Sequence, residues 1–350
     1  MQQAKVIKLP GTAAPDVDVD VDDENGPGRQ DAQQRARPAA RRRSTRTQPV
    51  SDATGPEPER EPALLDSVLP LDDFSGVRRA IDYLRRRLRG DYTVDEFGFD
   101  AELTENLLLP PLRTLYSRWF RVETSGATNL PYDGGALLVA NHSGTLPLDA
   151  LMTAVAVHDN NADGRHLRIL GANLVFSSPL IGALARKSGQ TLACNSDAER
   201  LLRAGELVGV WPEGFKGIGK PYAERYKLRR FGRGGFVSAA LRTGVPIVPV
   251  SIVGAEEIYP KIGDIKLLAR LLGLPYFPVT PLFPLFGLLG AVPLPSKWYI
   301  EFGEPVRTDD LVGAEVDDPM LVFNLTDQVR ETIQQTLYRL LARRGNAFLG

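Results

Sequence analysis

Residues 137–150 of this 350-residue chain read LLVANHSGTLPLDA, an apolar run that ends in a histidine and then a carboxylate. Residues 135–140 are short, apolar and followed by polar and small residues, which is typical of a buried parallel strand that ends at a loop. His142 therefore follows the carboxyl end of this strand. Ligands bind at that edge of open α/β sheets, and histidine can take up and release protons near neutral pH. The stretch predicts a strand that places a candidate base in a site.

Asp149 is the expected partner of His142. In a continuous helix the spacing between them would leave the two side chains about 10 Å apart along the axis, too far for a hydrogen bond. The intervening residues must therefore be partly loop, which Gly144 and Pro147 favour, before a helix from about Leu146 to residue 156. The alternative is that His142 only caps a helix whose first turn contains Asp149, and these residues alone leave both interpretations open.

Strands alternate with helices along the rest of the chain. Strands are predicted at residues 121–125, 167–171, 191–194, 206–211, 245–253 and 297–302. Helices are predicted at residues 179–187, 197–204, 234–243 and 321–341. This alternation predicts an α/β fold with a mostly parallel sheet flanked by helices on both faces. Pro246 and Pro249 predict an edge or irregular position for the strand that contains them.

The composition limits the classes of function. Hydrophobic residues make up 43% of the chain, enough for a sizeable core, and the net charge of −1 does not indicate nucleic acid as a partner. The single cysteine, Cys194, excludes an internal disulfide and a cysteine-rich zinc site and fits a reducing compartment. With three histidines, no multi-histidine metal site is expected. Residues 1–15 lack the pattern of a secretory signal, so we expect the protein to face the cytosol.

Three regions are predicted. Residues 1–62, with few large apolar side chains and a cluster of arginines, are predicted to be a disordered tail. The arginines would either tether the tail to anionic lipid or nucleic acid or simply keep it soluble. Residues 63–120 are predicted to form N-terminal helices, and residues 121–350 the catalytic domain.

Two helices are predicted within the second region. Residues 74–89 predict a basic amphipathic helix, in which many arginines flank an apolar stripe formed by Val77, Ile81, Leu84 and Leu88. This helix would lie on an anionic membrane surface or pack on the domain with a solvated basic face. Residues 97–120 predict further helix that is broken at Pro110 and Pro111.

A second polar cluster follows the strand predicted at residues 206–211. Residues 211–221 read WPEGFKGIGKP and contain Glu213, a glycine-rich loop and two lysines. The spacing from Gly214 to Lys220 matches a P-loop, but Pro221 stands where a P-loop needs a hydroxyl for magnesium, which argues against a nucleoside triphosphatase. A basic run follows, made up of Arg225, Lys227, Arg229, Arg230 and Arg233. Such a region suits an anionic substrate, and the alternative is a surface turn with solvated lysines.

Three blocks in sequence carry a resemblance to a known family. Asn141-His142 with Asp149, then Pro212-Glu213-Gly214, then residues 245–250 (VPIVPV) resemble the glycerolipid acyltransferases, which include 1-acylglycerol-3-phosphate acyltransferases. The resemblance covers roughly residues 115–305. The spacing between His142 and Asp149 is longer than the usual one and resembles the subgroup allied to monoacylglycerol acyltransferases. The arginine often found in the family's second block is not evident at residues 192–196, so the acceptor headgroup stays open.

The resemblance implies an acyltransferase fold for residues 121–350 and the transfer of a fatty acyl group from acyl-CoA or acyl carrier protein to a hydroxyl of a glycerolipid or lysophospholipid. His142, oriented by Asp149, would be the general base, and neither a metal nor a cofactor beyond the acyl-CoA co-substrate is expected. Alternatives are a lipid or thioester hydrolase with the same dyad, and a non-catalytic lipid-binding protein. The predicted substrate-binding residues are Asn141, Ser143, Glu213, Gly214, Lys216 and Arg230.

Within that set, distinct roles are expected. Glu213 and the Gly214 amide would position the polar end of the acceptor. Lys216, with neighbouring arginines such as Arg230, would bind a phosphate of the acceptor or of CoA.

Residues 271–296 contain no charged side chain but six prolines and three glycines, so a membrane-spanning helix is not expected. Exposed, this segment would dock into a lipid interface beside the active site, which is the preferred interpretation. The alternative is that it completes the core or lines a closed acyl pocket. We therefore expect a peripheral protein on the cytoplasmic side of an anionic membrane.

Overall fold

A seven-stranded sheet runs through the part of the chain that the structure, a computed structural model, describes: residues 75–161, 163–232, 234–311 and 318–348. Its strands are β1 Glu123–Ser125, β2 Ala136–Ala140, β3 Leu167–Gly171, β4 Thr191–Leu192, β5 Leu207–Val210, β6 Ile247–Val253 and β9 Tyr299–Phe302. A separate antiparallel pair is formed by β7 Gly263–Asp264 and β8 Pro278–Val279. The predicted tail, residues 1–62, and residues 63–74 lie outside the described residues.

The strand order is β1-β9-β6-β2-β5-β3-β4, and neighbours are parallel except for the antiparallel pair β6 and β9. β2 lies in the middle of this order, between β5 and β6. All of its residues are buried, as expected for a strand that is covered on both faces. The carboxyl ends of β2 and β5 therefore meet at one edge, which brings together the two polar blocks that follow these strands.

Helices cover both faces of the sheet. They are α1 Ser75–Leu88, α2 Ala101–Leu103, α3 Leu109–Thr114, α4 Leu148–Asn160, α5 Asn173–Ser177, α6 Pro179–Lys187, α7 Asn195–Arg203, α8 Gly214–Ile218, α9 Gly235–Thr243, α10 Lys266–Leu271 and α11 Pro319–Arg343. Leu138 and Ala140 of β2 face a core that includes α4, and Leu137 and Val139 face a core that includes α7, α9 and α11. The predicted α/β fold with a mostly parallel sheet flanked by helices is confirmed.

Of the two positions predicted for the proline-containing strand, the edge position is wrong, whereas its pairing is irregular at Pro249. β6 is an inner strand, paired with β2 on one side and β9 on the other. Pro246 precedes the strand, and Pro249 lies between the isolated bridge of Ile247 to Val306 and the start of the β9 pairing. At that interruption the Pro249 carbonyl accepts a hydrogen bond from the N–H of Gly303. Because Pro249 is not paired there with a residue of β9, its lack of an N–H removes no hydrogen bond between β6 and β9.

The predicted break at Pro110 and Pro111 is also wrong. The chain stays helical from residue 101 to residue 119, with π-helical turns at Thr104–Leu108 and Leu115–Trp119 on either side of α3. The two prolines occupy the first turn of α3, directly after a π turn that Leu109 closes by donating to the Thr104 carbonyl. The helix tolerates both prolines at this point. A proline ring clashes with the preceding turn in the interior of a regular α-helix, whereas the wider π turn leaves room for the rings and does not need their missing N–H donors.

α1 matches the predicted basic helix in extent. The structure describes the backbone of Val77 and Leu84, two members of the predicted apolar stripe, but not their side chains. The other two members, Ile81 and Leu88, are exposed. Among the side chains of this helix that the structure describes, that of Tyr83 is buried. The described part of the predicted stripe therefore faces away from the domain.

Residues 271–296 form the end of α10, strand β8 and a 3-10 turn at Gly287–Ala291. Several of its large apolar side chains are exposed, with Leu285 at 84% and Leu271, Phe286 and Leu289 also on the surface. Phe277 and Phe283 are partly covered, with ring centroids 5.4 Å apart. Within the described ranges, no helix combines the length and the apolar character that crossing a membrane requires.

Candidate active site

His142 and Asp149 meet at the carboxyl end of β2. Nδ1 of His142 lies 2.7 Å from Oδ2 of Asp149, and the side chains are 14% and 0% exposed, respectively. Because an ionised carboxylate only accepts hydrogen bonds, Nδ1 carries the proton in this contact. The other ring nitrogen, Nε2, is then an acceptor in the neutral imidazole. The pair therefore has the arrangement of an oriented base.

The segment between the two residues is partly loop, as predicted. α4 begins only at Leu148, and Gly144 and Thr145 have φ angles of 95° and 65°. A Cβ at Gly144 would lie 2.7 Å from the Ala255 carbonyl oxygen, so only glycine fits. Thr145 is held in its left-handed conformation because its N–H donates to the Ile218 carbonyl. The turn brings Asp149 back to His142.

Asp149 is also fixed from its own side. Its Oδ2 accepts the N–H of Ser143 at 2.9 Å, and its Oδ1 accepts the N–H of Ala150 at 2.9 Å. The residue lies in the first turn of α4, where the positive end of the helix dipole favours a negative charge. These contacts stabilise a carboxylate that is otherwise cut off from solvent.

Asn141 joins β2 to β6. Its side-chain amide donates to the Ile252 carbonyl at 3.0 Å, and its oxygen accepts the Ile252 N–H at 2.8 Å. Both polar ends of this buried side chain are therefore used within the sheet. Asn141 fixes the strand end from which His142 projects, and its predicted contact with substrate stays a prediction.

Glu213 supports the backbone on which His142 sits. Its Oε1 accepts the N–H of His142 at 2.9 Å, and its Oε2 accepts the N–H of Arg229 at 2.6 Å. The Gly214 amide donates to the Trp211 carbonyl. The structure uses these groups for contacts inside the protein, and the predicted contacts of Glu213 and Gly214 with an acceptor stay predictions.

Lys220, which the sequence presents only as part of an imperfect P-loop, is 1% exposed and lies between two carboxylates. Its Nζ is 3.5 Å from Oε2 of Glu213 and 3.1 Å from Oε1 of Glu256. Burial raises the pKa of Glu256, and the positive charge of Lys220 opposes that rise. Lys220 thus links the loops that follow β5 and β6 beneath His142. No sequence pattern relates Lys220 to Glu256, so this contact could not be predicted.

A cavity of about 320 Å³ opens beside α8. It is lined by Phe215, Lys216, Gly219, Lys220, Pro221, Arg229, Lys261, Asp264, Pro275 and Tyr276. Lys216 is exposed at this cavity, whereas the predicted ligand Arg230 is exposed and does not line it. α8 also packs against His142, because a Cβ at Gly217 would lie 3.1 Å from the His142 Cβ. The cavity and the candidate base therefore both lie against α8, although neither His142 nor Asp149 lines the cavity.

Tyr276 connects residues 271–296 to the active-site loop and was not predicted. Its hydroxyl donates to the Thr145 carbonyl at 2.6 Å. Burial raises the pKa of Tyr276, and the negative charge of Asp149 raises it further. The phenol therefore stays protonated at neutral pH and keeps donating to the loop.

Two buried polar atoms beside the dyad have no hydrogen-bond partner among the described residues: Oγ of Ser143 and Nε1 of Trp211. Ser143 follows His142 directly, and the Trp211 ring centroid is 6.1 Å from that of His142. Ser143 belongs to the predicted substrate-binding set, whereas Trp211 does not. Both atoms are able to form a further hydrogen bond near the base.

Comparison with known proteins gives matches of several kinds. The Acyltransferase family model matches residues 121–253. The uncharacterized protein Rv0502 of Mycobacterium tuberculosis is 63% identical over 281 residues, which cover 80% of this chain and 78% of that protein. The human DGAT1/2-independent enzyme synthesizing storage lipids is 26% identical over 203 residues, 56% of this chain and 57% of that protein.

Two further matches are more distant. The chloroplastic 1-acyl-sn-glycerol-3-phosphate acyltransferase of Arabidopsis thaliana is 26% identical over 153 residues, 41% of this chain and 38% of that protein. The crystal structure of the 1-acyl-sn-glycerophosphate acyltransferase PlsC from Thermotoga maritima aligns with a TM-score of 0.46 and 19% identity. That alignment covers 78% of this chain and 99% of the solved chain.

The family match spans β1 to β6 and therefore includes the dyad and Glu213. Together with the long match to the mycobacterial relative, it shows that the chain belongs to the acyltransferase family. The resemblance predicted from the three sequence blocks is confirmed.

The variant Lys220→Met tests the ion pairs that Lys220 forms with Glu213 and Glu256. Removing the lysine leaves Glu213 and Glu256 buried together without their cation, and we expect a loss of about 3–5 kcal/mol in the free energy of unfolding. Urea unfolding at neutral pH measures this loss. Lys216→Met, the same change at an exposed lysine, serves as the control and should change stability by less than about 0.5 kcal/mol.

The loss of stability in Lys220→Met should depend on pH. A carboxyl whose pKa is raised on folding contributes stability below its unfolded-state pKa and loses it as the pH rises through the folded-state pKa. Without Lys220 the pKa of Glu256 should rise further. The deficit of Lys220→Met should therefore be largest at neutral pH and narrow towards about pH 5. A loss of stability that is independent of pH, or that is equally large in Lys216→Met, would contradict the role of Lys220 as the cation between the two carboxylates.

Proposed function

We propose that this chain transfers a fatty acyl group from a thioester donor, acyl-CoA or acyl carrier protein, to a hydroxyl of a glycerolipid or lysophospholipid. The observation that carries the proposal is the contact between His142 and Asp149, which leaves Nε2 of the imidazole as the acceptor. The names of the human and Arabidopsis relatives, which describe storage-lipid synthesis and acylation of 1-acyl-sn-glycerol-3-phosphate, support the substrate class.

The reaction needs a base because a hydroxyl is a weak nucleophile until its proton is removed. Nε2 of His142 takes that proton while the hydroxyl oxygen bonds to the thioester carbonyl carbon. The carbon–sulfur bond then breaks, the thiolate leaves with the electron pair, and the imidazolium returns the proton to the sulfur. Asp149 stabilises the imidazolium between the two transfers. His142 ends the cycle neutral, and the products are an ester and a free thiol.

The cavity beside α8 supports a substrate that carries phosphate. Lysine and arginine side chains supply four of its lining residues, but three are already paired: Lys220 with Glu256, Lys261 with Asp264, and Arg229 with Glu224. Lys216 has no ion pair among the described contacts. We therefore assign it to a phosphate of the donor or of the acceptor.

The exposed apolar side chains of residues 271–296 support action at a membrane surface. Leu271, Leu285, Phe286 and Leu289 are exposed, and we call these four residues the apolar rim. The same segment contributes Pro275 and Tyr276 to the cavity. Lipid covering the apolar rim would place an acyl chain close to the cavity mouth. The arginines of α1 would add attraction to anionic headgroups on the cytoplasmic face.

His142→Ala and Asp149→Asn test the dyad. We expect kcat to fall about 10³–10⁴-fold in both variants, because the first removes the base and the second removes the group that orients it. The assay uses radiolabelled acyl-CoA, and in parallel acyl carrier protein, with and without lysophospholipid or monoacylglycerol. Asp163→Asn, the same change at an exposed aspartate, is the control.

The outcome of this assay distinguishes an acyltransferase from a hydrolase and from a lipid-binding protein. Acyl transfer that requires the acceptor supports the proposal. Release of free fatty acid instead would indicate a hydrolase, and no turnover of any donor would indicate a lipid-binding protein. Near-normal kcat in folded His142→Ala would remove His142 from the mechanism.

Lys216→Ala should raise KM for the phosphate-bearing substrate about tenfold while changing kcat less, because the contact is made equally in the ground state and the transition state. Steady-state kinetics with each substrate varied in turn identify which one carries the phosphate. Lys266→Ala, at an exposed lysine that does not line the cavity, is the matched control. Unchanged KM for both substrates would show that Lys216 is a surface residue of α8 with no role in binding.

Flotation with liposomes tests the membrane surface. The triple variant Leu285→Ser, Phe286→Ser and Leu289→Ser should stay in the lower fraction, whereas the wild type should float with vesicles that contain anionic phospholipid. Phe283 is left unchanged because its ring packs on Phe277.

The matched control replaces two other exposed apolar side chains, Met320 and Phe323 of α11, by serine. It should float like the wild type. A wild type that does not bind these vesicles would exclude the membrane role.

A further inference from the structure

A second group of ionisable side chains lies outside the active site. It consists of Glu105 in the first π turn, His158 in the last turn of α4 and His166 just before β3. Each residue offers one ligand atom, and these atoms all lie within 4.8 Å of one another. Asp149 is at the opposite end of α4, about 14 Å away along the helix axis. The group therefore has no part in the dyad.

The contacts within this group are close. Nε2 of His166 lies 3.2 Å from Oε1 of Glu105, and the two imidazole rings have centroids 4.9 Å apart. The His166 ring also meets the Phe99 ring edge to face at 5.0 Å. Two imidazole nitrogens and one carboxylate oxygen thus converge on one position.

Against the expectation from the low histidine count, we propose that Glu105, His158 and His166 bind a divalent transition-metal ion, with Zn²⁺ the ion that the donor set suits best. Zinc takes nitrogen and oxygen ligands at about 2.0–2.2 Å, so ligand atoms around it stand about 3.3–3.5 Å apart. The Glu105 to His166 distance already fits this spacing. Glu105 is exposed and free to close the wider separations, and solvent would complete a tetrahedral site. Mg²⁺ and Ca²⁺ prefer all-oxygen sites and should bind poorly.

The surroundings of His158 favour ligation by its second nitrogen. Nδ1 lies 3.1 Å from Oδ1 of Asp159, the pairing with a carboxylate that commonly orients metal-binding histidines and leaves Nε2 for the ion. Nη2 of Arg113 also lies 3.2 Å from Nδ1. Because a guanidinium only donates, Nδ1 donates to Asp159 where Arg113 binds the Asp159 carboxylate instead, to which its Nε donates at 2.9 Å. Arg168, which is buried, is balanced by Asp95 and Glu206.

A bound ion would have a structural role, because it would connect elements that are distant in sequence. Its ligands come from three elements that are distant in sequence: the helical run at residues 101–119, α4, and the residue before β3. An ion bound here joins the N-terminal helical run to the sheet domain and stabilises the folded state relative to the unfolded chain. This inference does not depend on the proposed acyl transfer.

Thermal unfolding of the full chain tests the site. After treatment with EDTA and its removal, a moderate excess of ZnCl₂ should raise Tm by about 5 °C, whereas MgCl₂ should leave it unchanged. Co²⁺ provides a spectroscopic probe, because nitrogen and oxygen ligands in a tetrahedral site give visible d–d absorption.

The three histidines of the chain supply matched variants. His158→Ala and His166→Ala should lose the Zn²⁺-dependent rise in Tm and the Co²⁺ absorption, and His142→Ala should keep both. Should a histidine variant fail to fold, Glu105→Gln at the exposed ligand should fold and weaken Zn²⁺ binding at least about tenfold.

The proposal would be overturned by a wild type without a Zn²⁺ response. It would also be overturned by a response that survives both His158→Ala and His166→Ala, or by one that His142→Ala alone removes.

Discussion

One carboxylate oxygen, Oδ2 of Asp149, accepts hydrogen bonds from both Nδ1 of His142 and the backbone N–H of Ser143. The double contact ties the side chain of the base and the backbone beside it to the first turn of α4. It requires the chain to turn back sharply, which Gly144 and Thr145 achieve with left-handed φ angles. The orientation of the imidazole thus follows from the way β2 passes into α4.

The position of the base depends on a second buried carboxylate. Glu213 holds the backbone N–H of His142 from the side of β5, and Lys220 connects Glu213 to Glu256 beyond β6. Three neighbouring strands therefore contribute to holding one histidine. Buried charges are costly unless they are paired and hydrogen-bonded, and here every charge of the set has partners. Such a set limits motion at the sheet edge where the acceptor would bind.

Much of the fold could be predicted because local patterns determine it. β3 and α6 have the predicted bounds, since each is a short periodic run between clear breaks. The pairing of His142 with Asp149 could be predicted from the resemblance of the three sequence blocks, whereas the residues alone left open that His142 only caps a helix. The inner position of β6 could not be predicted, since an interruption in the pairing with β9 removes the usual penalty of Pro249.

The rest of the site depends on contacts between distant residues. The pairing of Lys220 with Glu256, and the hydrogen bond from Tyr276 to the loop of His142, join segments that no local pattern relates. The residue types around Glu213 suggested contact with substrate, whereas its burial directs both oxygens to backbone N–H groups. Sequence reasoning located the polar blocks correctly but could not tell which side chains face inward.

The tautomer of His142 tests most directly whether this histidine, oriented by Asp149, is the general base. Long-range ¹H–¹⁵N correlation spectra of the ¹⁵N-labelled protein distinguish the two ring nitrogens, and comparison with His142→Ala assigns the signals. We predict that the neutral imidazole carries its proton on Nδ1, hydrogen-bonded to Asp149, with Nε2 unprotonated. A neutral ring protonated on Nε2 would contradict this prediction, because that nitrogen could not then accept the proton of the acceptor hydroxyl.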